Sequence, residues 1–116
     1  MSLLDSDLLK SNCAGDEDMM REMISMGLQS LGETLTGIDT ALQAEDWNNL
    51  ARFLHKIRPI LCYCGITSLT DELQEIEINA KQGNELPALK NRINKIITSL
   101  EQAQSEMQMQ MSLLSK

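Results

Sequence analysis

The sequence predicts an all-α fold, and three observations carry that reading. Valine is absent, and aromatic residues make up only 3% of the 116 residues. A sheet would therefore have little to pack with. Leu, Met, Glu, Gln, Lys and Ala, the straight-chain helix formers, dominate instead. Through most of the chain, apolar residues also recur at spacings of three and four, the period of one helix face. Short connections between successive helices favour antiparallel neighbours. The expected architecture is an up-down-up-down four-helix bundle with a short extra N-terminal helix, a single domain over residues 1–116.

Each element has its own signals. Leu3 to Leu9 forms a short apolar segment, broken by Asn12 to Gly15. Asp16, Glu17 and Asp18 then supply the negative charge that a helix N-terminus favours. Met20, Ile24, Leu28, Leu31, Leu35, Ile38 and Leu42 continue as one stripe of a long helix. Gly27, Gly32 and Gly37 interrupt it, each costing up to about 1 kcal/mol relative to Ala, so a kink or break is expected between Gly27 and Gly37. Asp46 is the natural N-cap of the next helix, whose core stripe is Trp47, Leu50, Leu54, Ile57 and Leu61, ending near Gly65. Ser68 with Asp71 forms a capping-box-like start for a further helix, with Leu69, Leu73, Ile76 and Ala80 inward and Gly83 as its stop. The last helix carries Pro87 in its first turn, and its stripe runs from Leu86 through Leu89, Ile93, Ile96, Leu100, Ala103, Met107 and Met111 to Leu114.

Charge and cysteine content narrow the function. Ten Lys and Arg against 17 Asp and Glu leave a net charge of -7. A chain this acidic repels phosphate backbones and anionic headgroups, so neither nucleic acid nor membrane insertion is expected. No apolar run approaches the ~20 residues of a membrane span, and Asp5 and Asp7 interrupt any signal-peptide core. Three cysteines without framework spacing suit free, mostly buried thiols in a reducing compartment, and the expected location is cytoplasmic.

Catalytic inventory is sparse. No strand exists to carry a nucleophile elbow, a Walker loop or a dinucleotide fingerprint. His55, Cys62 and Cys64 are close in sequence but cannot share a metal ion. On one helix, His55 and Cys62 stand about 10.5 Å apart along the axis, and the two cysteines point about 160° apart. No metal or cofactor is expected.

His55 is the single histidine. It lies about 130° from the mean direction of its helix's core stripe, facing solvent or a partner. The same count puts Ala51, Arg52, Arg58, Pro59 and Cys62 on its face as a docking surface, with Lys56 adjacent. The only histidine of an acidic chain thus sits in a basic island of Arg52, Lys56 and Arg58. Positive charge disfavours protonation of the imidazole and leaves a neutral nitrogen available as nucleophile. It would also stabilise an anion transferred there.

The run His55-Lys56-Ile57-Arg58-Pro59-Ile60-Leu61-Cys62-Tyr63-Cys64-Gly65 resembles the signature of histidine-containing phosphotransfer (HPt) domains. That family has its phospho-accepting His followed by an aliphatic residue two on, a basic residue three on and a Gly ten on. Ile57, Arg58 and Gly65 fill those places. Ile76-Glu77 is similar to the family's Leu-Glu pair on the next helix, and Gly15-Asp16-Glu17-Asp18-Met19-Met20 to its entry into the long second helix. The family often has Gly after the basic residue and Ser next. Here these are Pro59 and Ile60, and Pro59, which cannot donate to the His55 carbonyl, is expected to bend the helix.

The resemblance implies a phosphorelay intermediate without autokinase activity. His55 would take a phosphoryl group from the aspartyl phosphate of a response-regulator receiver domain, of the kind a hybrid sensor kinase can carry, and a second receiver would remove it. Mg²⁺ would reside in the receiver. Arg58 would be the main partner of the phosphoryl oxygens, with Lys56 and Arg52 auxiliary, and Glu77 would fix the imidazole tautomer. Two other readings compete: a helical adaptor that docks receiver or kinase domains without carrying phosphate, and a four-helix oligomerisation module.

Helix lengths give one further expectation. The helices over about Asp16–Ala44 and Glu85–Leu114 should each span about 45 Å and the two between them about 22–30 Å. Aligned at the Ala44/Glu85 end, the long pair would bring Met19, Met20, Met23 and Met26 alongside Met107, Met109 and Met111, covered by Leu4 and Leu8.

Overall fold

A computed structural model describes residues 2–83 and 86–114. They form five helices, and no strand occurs among the described residues: α1 (Ser6–Asn12), α2 (Glu17–Gln43), α3 (Trp47–Tyr63), α4 (Thr70–Gln82) and α5 (Leu86–Leu114). Aspartates start the first three. Asp5 accepts from the amides of Asp7 and Leu8, Asp16 from those of Asp18 and Met19, and Asp46 from that of Asn49. Gly83, at φ 68°, ends α4 in the left-handed conformation that glycine adopts without a Cβ clash. Pro87 occupies the first turn of α5, where its missing N–H has no intrahelical partner to lose. Glu85, the expected start of this helix, lies outside the described residues.

The capping box at Ser68 and Asp71 does not form. Leu69 is the N-cap of α4 and provides no side-chain hydrogen bond. Its side chain is drawn into the core at 8% exposure, so the chain enters the helix one residue later than the box requires.

α2 also departs from expectation, running unbroken from Glu17 to Gln43. Its glycines are spacers rather than breaks. A Cβ on Gly27 would stand 2.5 Å from Met107 Cε and 2.6 Å from Cys64 Sγ, and one on Gly37 would run into the Phe53 ring. The helical cost of these glycines is offset by the close approach of α3 and α5 side chains. Gly32 differs, because a Cβ there meets nothing within 4 Å. Gly32→Ala is therefore expected to stabilise the domain by about 0.5–1 kcal/mol, whereas Gly37→Ala destabilises it. Urea unfolding followed by circular dichroism checks both, and equal shifts in the two variants would refute the distinction.

α2 packs against α3 and α5, and α4 packs against the same two, closing a ring around one core. Ile24, Leu31, Ile38, Leu50, Leu54, Ile57, Leu73, Ile76, Ile93 and Leu100 are all fully buried in it. α2 and α5 meet end to end in opposite senses. Arg21 Nη1 donates to the Leu114 carbonyl at 2.7 Å, while Lys90 Nζ lies 3.4 Å from Glu45 Oε1. α3 and α4 likewise run past each other, with Cys62 Sγ 3.3 Å from Thr70 Oγ1 and His55 opposite Glu77. The principal extents are 45 × 23 × 21 Å, the long axis being that of α2 and α5. No described helix is long and apolar enough to cross a membrane.

The α2–α5 alignment brings the methionine-rich ends together. Met20 and Met107 are buried and Met23 and Met111 pack half-buried against the core, while Met19, Met26 and Met109 are exposed. Leu4 packs on this end with Leu3, and Leu8 is half-buried, but the fully buried residue of α1 is Leu9. The N-terminal segment is strapped down by Glu106, whose carboxylate accepts from the amides of Leu3 (2.8 Å) and Leu4 (2.9 Å) and from the Ser2 hydroxyl (2.8 Å). Partial burial pushes the Glu106 carboxyl up, but these bonds and one from Gln102 outweigh it and hold the group below its ordinary value. A depressed folded-state value stabilises the strap above the ordinary carboxyl range and releases it as pH falls through that value. Amide exchange at Leu3 and Leu4, corrected for its intrinsic pH dependence, should accelerate once pH falls below the ordinary carboxyl range in the native protein and be fast throughout in Glu106→Gln. Pace unaffected by either change would show that the strap is held by packing alone.

Candidate functional site

His55 lies near the middle of α3, with its side chain 66% exposed. Leu50, Leu54, Ile57 and Leu61 turn the opposite side of the helix into the core, which fixes the outward direction of the imidazole. Pro59 sits inside α3 but does not end it, as the helix continues to Tyr63. Gly65, at φ 90°, follows the C-cap. A Cβ there would stand 2.6 Å from the Asp5 carbonyl oxygen and 3.4 Å from Leu9 Cβ, so glycine is what lets α1 seat on the end of α3. The Asp5 amide bonds the Gly65 carbonyl at 2.9 Å, and Asn12 Nδ2 reaches the carbonyls of Cys62 and Tyr63.

α4 supplies the other half of the site. Glu77 is a buried carboxylate, its side chain only 6% exposed, and three basic groups converge on it. His55 Nδ1 lies 3.2 Å from Oε2, Lys81 Nζ 3.0 Å from the same oxygen, and Arg58 Nη2 3.2 Å from Oε1. Arg58 Nη2 also stands 3.2 Å from His55 Nδ1; a guanidinium only donates, so this bond uses Nδ1 as acceptor, and Nδ1 cannot give a proton to Glu77 while it is made. The approach of Arg58 to Oε1 is an ion pair without hydrogen-bond alignment, leaving Oε1 and Arg58 Nε buried with no hydrogen-bond partner. Arg58 is thus turned inward (18% exposed), held by one ion pair to Glu77 and one bond to Nδ1.

Beside the imidazole, a cleft of about 360 Å³ is lined by Asn49, Arg52, Phe53, His55, Lys56 and Lys81. Three lysine or arginine side chains around one histidine, in a chain of net charge -7, make this an anion-accepting spot.

The residues singled out from sequence divide into two sets. His55, Arg52 and Lys56 line the cleft, and Arg58 and Glu77 meet beside His55 without lining it. Pro59 is exposed on the same helix. Ala51 is a correction: it is fully buried and offers no surface to a partner. Cys62 is half-buried, its thiol against Thr70 rather than free on the face. One packing feature accounts for the burial of both. α4 covers a flank of α3, so the buried arc is wider than the apolar stripe from which the angle was counted. Lys81 was missed, although its i,i+4 spacing from Glu77 is a readable signal.

The cysteines stand apart from this chemistry. Cys13 and Cys64 are fully buried, and burial, aided by the neighbouring Cys13, pushes the Cys64 thiol up to about 11, so it is protonated at neutral pH. Among the described residues, no group of three or more His, Cys, Asp or Glu side chains could hold a metal ion.

Comparison with known proteins agrees with this geometry. The family model of the Hpt domain matches residues 22–106. The crystal structure of the HPT domain from the Hpt sensor hybrid histidine kinase from Shewanella is similar over 98% of this chain and 97% of that one, with a TM-score of 0.85 and 30% sequence identity. None of the curated proteins matches the chain. An exposed histidine on a buried carboxylate, the family match across most of the helices and the structural likeness meet in one conclusion: the chain belongs to the Hpt family, the phosphotransfer domains of phosphorelay signalling.

Proposed function

We propose that the domain is a phosphorelay intermediate in which His55 accepts the phosphoryl group of a receiver-domain aspartyl phosphate and passes it to a second receiver. The observation that carries this reading is the 3.2 Å contact between His55 Nδ1 and the buried Glu77 carboxylate. Once Arg58 leaves Nδ1 for the phosphoryl group, the carboxylate accepts from Nδ1–H, which leaves the lone pair on Nε2, the outward nitrogen. That lone pair forms the P–N bond as the bond from phosphorus to the aspartyl oxygen breaks, and the electrons leave with the aspartyl carboxylate. The phosphorylated ring keeps its Nδ1 proton and its positive charge, which Glu77 stabilises. Arg58 gives up its bond to Nδ1 and turns to the phosphoryl oxygens, with Lys56 and Arg52 at the rim of the cleft. The receiver brings Mg²⁺ and most of the electrostatic catalysis, so this chain needs neither ATP nor a metal of its own.

The helix ring, with α2 against α5 and α3 against α4 in opposite senses, supports an antiparallel up-down-up-down bundle with α1 added. In that arrangement the His55 face stays open to receivers, and the site of action is the cytoplasm, where receivers work. The test is incubation with a phosphorylated receiver, then mass spectrometry at neutral and acid pH. An acid-labile phosphate on His55 is expected. Its absence under conditions where the receiver dephosphorylates normally would leave the adaptor reading in its place.

A further inference from the structure

Lys81 stands one turn beyond Glu77 on α4, with Nζ 3.0 Å from Oε2, the same oxygen that faces His55 Nδ1. An i,i+4 pair on a solvated helix face would be unremarkable, but Glu77 is 6% exposed and Lys81 also lines the cleft beside the imidazole. The carboxylate has two cations, Arg58 on Oε1 and Lys81 on Oε2. This sharing matters because a carboxylate next to an imidazole has two opposed effects. It orients the ring by accepting from Nδ1–H, and it also draws a second proton onto the ring, which would occupy the Nε2 lone pair. Cations on the carboxylate keep the first effect and weaken the second. Arg58 cannot do this throughout the reaction, since it must turn to the incoming phosphoryl group.

We infer that Lys81 is a positioning residue for His55: it holds Glu77 Oε2 against Nδ1 and balances the carboxylate charge, so the ring is oriented yet remains unprotonated at Nε2 when Arg58 swings away. The inference rests on the phosphotransfer reading and extends it to a residue that touches neither phosphorus nor the ring. The other charged groups around the ring are Arg52, Lys56 and Arg58 on α3 and Glu77 on α4. Glu33 of α2 lies beyond Phe53, in the adjoining groove. All of these are unchanged in the variants below.

The experiment compares the full chain with Lys81→Met and Lys81→Arg in two measurements. Ring ¹⁵N NMR of His55 reads protonation without any transfer. Transfer from a phosphorylated receiver is timed at pH 6.5 and 8.5. In Lys81→Met a larger share of doubly protonated imidazole is expected at pH 6.5, with transfer slowed about tenfold at pH 6.5 and less than about twofold at pH 8.5. Lys81→Arg should restore both. Unchanged ring protonation in Lys81→Met, or an equal slowing at both pH values, overturns the inference. If the ring responds as expected but none of the three proteins accepts phosphate, Lys81 still governs His55, and it is the phosphotransfer reading that fails.

Discussion

His55→Gln is expected to abolish phosphoryl acceptance while leaving the helices intact. The chain has one histidine, so no other side chain can form the same phosphoramidate, and the loss should exceed about 10³-fold. Glutamine is the informative replacement because Glu77 is buried and its Oε2 faces His55 as well as Lys81. An alanine would leave a carboxylate oxygen without the partner now 3.2 Å away, mixing a folding penalty into the result. The glutamine amide can still donate to Oε2 from the same face. Because the imidazole itself is 66% exposed, the change in unfolding free energy should stay within about 0.5 kcal/mol. The measurement is a receiver-to-domain transfer assay beside a urea melt. Undiminished phosphorylation of the variant would remove His55 from the chemistry and leave the island of Arg52, Lys56 and Arg58 without a nucleophile to serve.

How much of this was legible in the sequence depends on the range of the interaction. The stripes of α3 and α5 and the Asp46 cap are local, fixed by residues within one or two turns, and they are found where spacing put them. The outward direction of His55 followed from the same local count. What failed was set by neighbours far along the chain. Gly27 and Gly37 have the look of helix breakers until α3 and α5 are laid across them, when they become the places where Cys64, Met107 and Phe53 fit. Ala51 belongs by angle to the histidine's face and by packing to the core, because α4 reaches over it. Glu77 is 22 residues from His55, and nothing in composition or periodicity pairs them. Only the resemblance brought it forward, with the 3.2 Å contact now supplying the physical reason. Lys81 had no such help. It is visible as a helical neighbour of Glu77 but gains its meaning only once Glu77 is known to be buried.

Met107→Glu should cost the domain a large part of its stability. Met107 is fully buried where α5 crosses α2, its Cε over Gly27. An exposed methionine cluster at this end would suggest a dimer that a charge dissolves; a buried Met107 leads to a different outcome, unfolding of the monomer. A carboxylate in that position would be buried in the core over Gly27, and an uncompensated buried charge costs roughly 3–5 kcal/mol, against a total of about 5–15 kcal/mol for a domain of this kind. The new carboxyl would answer by holding its proton, so its folded-state value is raised. The native state then binds more protons than the unfolded state, and the penalty relaxes as pH falls toward the ordinary carboxyl range. Met107→Leu is the control, a near volume-conserving change expected to cost less than about 1.5 kcal/mol at any pH. Comparing the urea midpoints of the two variants at pH 7.5 and 5 isolates the charge, because every other titrating group is common to both. The gap between them should be wide at pH 7.5 and clearly narrower at pH 5. Coincident midpoints at pH 7.5 would mean that Met107 is reached by solvent, and that α2 and α5 do not meet at Gly27.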